Sequence, residues 1–134
     1  MIPKVSIKKY SNIAEIIQTS QIIETYHDDV GNHYVKFSNG LIIQWLRISS
    51  SMIAINNSYG ASLYQGTYTW NFVIPFVNYQ PSVTCSQFQW GTSASFGGVV
   101  TAAPTYALLR GFDLFSRGTG ETTNISAIAI GWWK

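Results

Sequence analysis

Two stretches of this chain are apolar on both faces, and that restricts the fold more than any other feature. In "YVKFSNGLIIQW" (Tyr34–Trp45) an Asn-Gly pair separates two strand-like runs. Side chains alternate along a strand, so Leu41, Ile43 and Trp45 point one way, while Ile42 and Leu46 point the other with only Gln44 between them. The C-terminal run repeats the pattern: Ile128, Ile130 and Trp132 share one face, and Ile125, Ala127, Ala129 and Trp133 share the other. An antiparallel sheet with one solvated face shows polar residues there; these two strands need cover on both sides.

Charge is scarce enough to make that need general. Charged residues form 10% of the 134 residues, against a usual ~25%. After position 29 they are Lys36, Arg47, Arg110, Asp113, Arg117, Glu121 and Lys134. Burying apolar surface is worth roughly 25 cal/mol per Å², so the second face attracts a cover. Either the N-terminal segment packs over a sheet of its own chain, or identical copies supply the surface. A closed homo-oligomer is the preferred reading.

Alternation and turn signals organise the rest. The Asn39-Gly40 pair predicts a type I′ hairpin turn, with both residues at positive φ. "TYTWNFVI" alternates cleanly, Pro75 and Pro81 bracket a turn, and "SVTCSQFQW" reads as the next strand. "GTSASFGG" (91–98) reads as a flexible loop and "TYALLRGFDLFS" as a strand with a bulge or bend at Gly111. "RGTGET" is a turn before the closing strand "TNISAIAIGWW". The expectation is an all-β, six-stranded antiparallel β-sandwich or small barrel over residues 34–134. Residues 1–33 form an N-terminal neck or arm. Isoleucine spacing and an Asn12/Glu15 capping box predict a helix over Asn12–Tyr26, followed by the loop "HDDVGNH".

Several functions lack residues to support them. The net charge of +2 includes Lys4, Lys8 and Lys9 of the arm, and no basic patch interleaves with aromatics, so nucleic-acid binding has no electrostatic basis. No apolar run approaches the ~18 residues of a membrane span, and "MIPKVSIKKY" lacks the apolar block of a signal peptide. No cofactor motif is present; "FGGVV" lacks the strand–loop–helix setting of a phosphate loop. Cys85, the single cysteine, alternates with Val83 and reads as an inert core thiol. His27, His33, Asp28 and Asp29 are metal-ligand types, and a threefold axis could gather copies of one histidine; their spacing fits a polar turn better. Asp113 and Glu121 are the only carboxylates of the β region. Surface charge is the preferred reading of the two, and no catalytic residue is expected.

Aromatics offer the best recognition surface. Sugars are held by aromatic faces stacked on C–H surfaces, with a few polar groups fixing the hydroxyls. Trp90 borders the 91–98 loop, Tyr106 and Arg110 project from one face of the next strand, and Asp113 and Arg117 follow. These five are the candidate ligand-binding residues. Specificity is expected in the 91–98 loop and in residues 103–118, where a rigid scaffold tolerates variation.

"YVKFSNGLIIQW" resembles the entry to the C-terminal receptor-binding domain of phage tail-fibre proteins. "FVIPFVNYQPSVTCS" resembles that domain's next strand pair, and "ISAIAIGWW" its terminal strand. The latter two are also similar to H-type lectins. Fibre domains continue the LIIQW segment with Gly, where this chain has Leu46, and no sugar-contacting lectin residue maps onto this sequence. The resemblance implies a homotrimeric, H-type-lectin-like sandwich at the tip of a phage or tailocin fibre. It would be made in the host cytoplasm, carried on the virion behind upstream fibre or tail proteins, and bind a bacterial surface glycan or other envelope receptor. A free trimeric carbohydrate-binding lectin and a structural trimerisation cap are the alternatives.

Overall fold

A computed structural model describes residues 20–50, 53–88 and 95–134. It is an all-β sandwich with no helix among those residues. The strands are β1 (Ile22–His27), β2 (Asn32–Phe37), β3 (Leu41–Ser50), β4 (Asn57–Tyr59), β5 (Leu63–Asn71), β6 (Ser82–Phe88), β7 (Ser95–Ala102), β8 (Tyr106–Asp113) and β9 (Thr123–Trp132). A five-stranded sheet runs β1-β2-β3-β9-β6, a four-stranded sheet β4-β5-β8-β7, and every pairing is antiparallel.

Against six expected strands over residues 34–134, the described residues hold nine, with β1 and the start of β2 lying ahead of Tyr34, and the additions are instructive. The helix expected over 12–26 lies partly outside the described residues, and from Ile22 the chain is β1, paired with β2 ahead of Tyr34. Ile22, Ile23 and Thr25 are β-branched, which disfavours helix and suits a pleated surface. The expected 91–98 loop is strand β7 from Ser95 onward. Its glycines serve packing. Gly66, Gly111 and Gly97 stand in register across β5, β8 and β7. A Cβ on Gly97 would come within 2.7–2.8 Å of the β6 backbone at Cys85, Ser86 and Gln87, and one on Gly111 within 2.6 Å of the Gln87 side chain. The bare row lets the two sheets close on each other beside β6. Gly111 accordingly continues the ladder with neither bulge nor bend; the irregularity falls in β7 instead, between Val99 and Thr101.

The hairpin at Asn39-Gly40 forms, but not as type I′. Asn39 has no positive φ; Gly40 does, at 100°. Gly40 N donates to the Phe37 carbonyl, and the Asn39 side chain accepts from Leu41 N. This is a three-residue connection with glycine in the left-handed position, the alternative to the two-residue turn.

The core lies between the sheets. Tyr34, Ile42, Leu46, Ile48, Ile125, Ala127 and Ala129 face Trp70, Ala107 and Leu109, with Ile53, Ile55, Phe72 and Phe76 entering from the connections. Trp70, Phe72 and Phe76 stack edge to face at 4.9 Å spacings, and Trp70 Nε1 donates to Asn32 across the sheets. Gln44, polar on this face, is buried; its Nε2 donates to the Ile74 carbonyl at 2.7 Å and its Oε1 accepts from Ile74 N, fixing the β5–β6 connection. Buried amides are tolerated when satisfied in this way.

The β6–β7 approach yields a test. Gly97→Ala, which drives a methyl into backbone, should cost ~1–3 kcal/mol in chemical denaturation. Gly98→Ala, whose Cβ would meet only Phe112 at 3.6 Å, should be close to neutral; equal stability of the two variants would refute the close approach.

Candidate functional site

The double-faced strands keep both apolar faces, and the sandwich buries only one. β3 and β9 pair over their full length, and directly opposed residues share a face. Leu41 stands opposite Trp132, Ile43 opposite Ile130 and Trp45 opposite Ile128, all on the outside of the five-stranded sheet. Val35 and His33 of β2 extend the row beside Ile43 and Trp45, and His33 stacks flat on Trp45 at 5.0 Å. Nothing within the described chain covers this stripe: Ile128, Ile130 and Trp132 are 46%, 43% and 40% exposed. Ser82, Thr84 and Ser86 of β6 and Thr25 of β1 rim it. An apolar centre with a polar rim is the anatomy of a protein interface.

The outer face of the four-stranded sheet is different. Tyr106, Leu108, Arg110 and Phe112 alternate outward along β8. Phe96 stacks on Phe112 at 4.9 Å, and Tyr59 meets Phe112 edge-on at 5.1 Å. The Arg110 guanidinium sits 5.2 Å from the Tyr59 ring and 5.8 Å from the Phe112 ring. Gln65 lies opposite Phe112, and Gly98 opposite Arg110, so a notch without a side chain adjoins the guanidinium. Arg110 Nε and Gln65 Oε1 are buried with no hydrogen-bond partner.

The five expected ligand residues are thus distributed. Tyr106 and Arg110 share the outer face, four residues and roughly 13 Å apart along the strand. Trp90 lies outside the described residues. Asp113 faces inward and is fully buried; it accepts from Phe115 N at 2.8 Å and pairs with Arg117 Nε at 3.4 Å. Arg117 also meets Glu121, whose carboxylate accepts from Gly118 N, and its backbone exchanges two hydrogen bonds with Ile55. Asp113 and Arg117 therefore brace the β8–β9 loop, which holds Leu114 and Phe115 out at 48% and 58% exposure. Sequence reasoning missed Tyr59, Phe96 and Gln65. A single aromatic inside the polar run "NNSYGAS" was a usable signal, and Phe112 followed from alternation with Arg110.

The His/Asp cluster resolves into a turn and a stack. His27 and His33 pair across β1–β2 with ring centres 6.4 Å apart. Asp28 Oδ1 accepts from the backbone of Val30, Gly31 and Asn32, and Oδ2 from Tyr26 and the Asn32 side chain. Burial pushes that carboxyl up, but the bonds from Asn32, Tyr26 and Gly31 outweigh it and hold the group below its ordinary value. No group of three or more metal-ligating side chains occurs among the described residues. A cavity of about 410 Å³ opens beside the same turn, lined by residues that include Asp29, Arg47, Ser49 and Tyr68. Cys85 is half-buried against the core, and desolvation pushes its thiol up to about 11.

No protein-family model matches the chain, and no curated protein matches it. Solved structures do. The chain is similar to a structure of the P. aeruginosa R1 pyocin fibre comprising its C-terminal residues 323–701, at 17% identity and TM-score 0.54 over 82% of this chain and 28% of that one. It is also similar to an N-truncated R1-type pyocin tail fibre, at 16% identity and TM-score 0.54 over 93% of this chain and 100% of that one. The chain spans little more than a quarter of the longer fragment, and at these identities the likeness is one of fold. The all-β sandwich is shared with pyocin tail-fibre fragments.

Two outcomes follow from the bracing groups. Arg117→Ala removes the ion-pair partner of a buried carboxylate that keeps its bond from Phe115 N, and should lower stability by ~1–3 kcal/mol, read as a drop in Tm; an unchanged Tm would refute the bracing role. Asp28 has a folded pKa below its unfolded one, so its contribution is complete above pH ~4 and fades as pH falls through the folded value. Asp28→Ala should melt well below the parent at pH 7, with the gap narrowing on acidification. A gap independent of pH would show that ionisation plays no part.

Proposed function

We propose that this chain is the tip domain of a phage or tailocin tail fibre, assembled as a homotrimer, which attaches the particle to a bacterial surface glycan. The observation that carries the reading is the fold likeness to an N-truncated R1-type pyocin tail fibre over 93% of the chain. The order of the motifs at 34–45, 68–86 and 124–133 supports it independently.

The uncovered stripe on the five-stranded sheet supports the trimer. Three copies set around an axis, each turning Leu41, Ile43, Trp45, Ile128, Ile130 and Trp132 inward, hide the apolar centre and leave the Ser/Thr rims wet. The four-stranded sheets then face outward, with their aromatic and arginine side chains. Three linked sites raise weak single-site binding by ~10²–10⁴, so attachment needs no tight individual contact. The reading is one of binding without cleavage: Asp113 and Glu121 both engage Arg117, and do not face each other across a cleft. The domain would sit on the particle behind upstream fibre proteins after synthesis in the host cytoplasm.

Light scattering of the purified chain should give three times the chain mass. Ile128→Lys, which places a charge at the centre of the stripe, should yield the single-chain mass with unchanged far-ultraviolet circular dichroism. A parent protein that is stably monomeric sinks the trimer. Fluorescent parent protein should decorate cells of a susceptible strain; a trimer that decorates no strain tested favours the structural-cap alternative.

A further inference from the structure

Building on the receptor-binding reading, we propose that the notch at Tyr59, Gln65, Phe96, Gly98, Arg110 and Phe112 is the receptor site, and that its ligand is an acidic saccharide, a sugar bearing a carboxylate or phosphate.

Three requirements converge on that chemistry, of which charge is the first. Arg110 carries the only positive charge on the outer face of the four-stranded sheet among the described residues, and no carboxylate there pairs with it. Its contacts are the Tyr59 and Phe112 rings. A guanidinium held on aromatic faces keeps its donors in a fixed plane, ready for a planar anion. A neutral ligand laid over it would strip water from the charge and return nothing, whereas an anion compensates the desolvation.

The unsatisfied atoms add a second requirement. Arg110 Nε is a donor without an acceptor and Gln65 Oε1 an acceptor without a donor. Gln65 is opposite Phe112, two residues along β8 from Arg110, so both lie at one notch. An inorganic anion satisfies the donor alone. Both atoms are buried, so a ligand meets them only when the Arg110 and Gln65 side chains turn outward; a sugar acid then supplies both partners, its anionic group accepting from Arg110 and a ring hydroxyl donating to Gln65.

The third requirement is shape. Phe96 and Tyr59 are 48% and 45% exposed, and exposed ring faces suit the C–H side of a pyranose. Gly98, across from Arg110, leaves space where any other residue would project. A Cβ there makes only ordinary contact with Phe112, so the position can be filled without disturbing the sheet.

The test uses the full chain and defined probes: oligogalacturonate, oligoglucuronate and a phosphorylated mannan, each beside its carboxyl-reduced or dephosphorylated counterpart. Titration calorimetry should find at least one acidic probe bound, with its neutral counterpart at least tenfold weaker. Arg110→Gln should lose at least tenfold in affinity at unchanged Tm. Gly98→Val, which fills the notch and keeps the charge, should lose a similar amount. Binding of neutral probes alone, or full retention by both variants, overturns the acidic-ligand assignment and leaves glycan attachment standing. Binding of none of the probes, acidic or neutral, together with no decoration of susceptible cells, overturns both.

Discussion

The ten-residue pairing of β3 with β9 is the constraint on which the rest of the molecule depends. These strands are neighbours in the middle of the five-stranded sheet. A slip of one residue would exchange inner and outer side chains along the whole ladder, and with apolar residues on both faces, polarity alone does not forbid it. Size does. Ala127 and Ala129 stand opposite Leu46 and Gln44 on the inner face, where the second sheet must approach; Ile128, Ile130 and Trp132 stand outside, where no layer of the described residues lies. Gln44 then locks the choice, because its amide meets both backbone groups of Ile74 only from the inner side.

That choice gives the two outer faces different characters. The stripe left outside the five-stranded sheet is broad and uncharged at its centre, suited to a copy of the same chain. Among the described residues the outer surface of the other sheet has one guanidinium, four aromatic rings and two unmet polar atoms, suited to a small polar ligand. The braced loop carrying Leu114 and Phe115 lies at the end of that sheet where Asp113 terminates β8. A charge-poor sequence thus still distinguishes its surfaces, through where its few ionised groups are placed.

Much of this was legible in the sequence and some was not. Alternation gave the faces of β3 and β9 correctly, because a period of two holds wherever a strand forms. It also placed Tyr106 and Arg110 together. Asp113 and Arg117 read as ligand residues because distance along the chain does not reveal that Asp113 turns inward to meet the loop. The 91–98 segment read as flexible because glycine in a loop and glycine under a tight sheet contact look alike; only the row Gly66–Gly111–Gly97, from three separate strands, distinguishes them. β1 was obscured because isoleucines at 16, 17, 22 and 23 satisfy helical and extended patterns alike.

The strand borders carry one more consequence. β4 is only three residues long, β7 is broken by a register shift at Val100, and β1 by another after Ile22. β6, the remaining border, has the β7 backbone pressed against it at Gly97. Short, kinked or covered margins make poor templates for adding a foreign strand. Among the described residues the backbone ladder is thus poorly presented at these margins, and contact between molecules is steered toward the flat sheet surfaces.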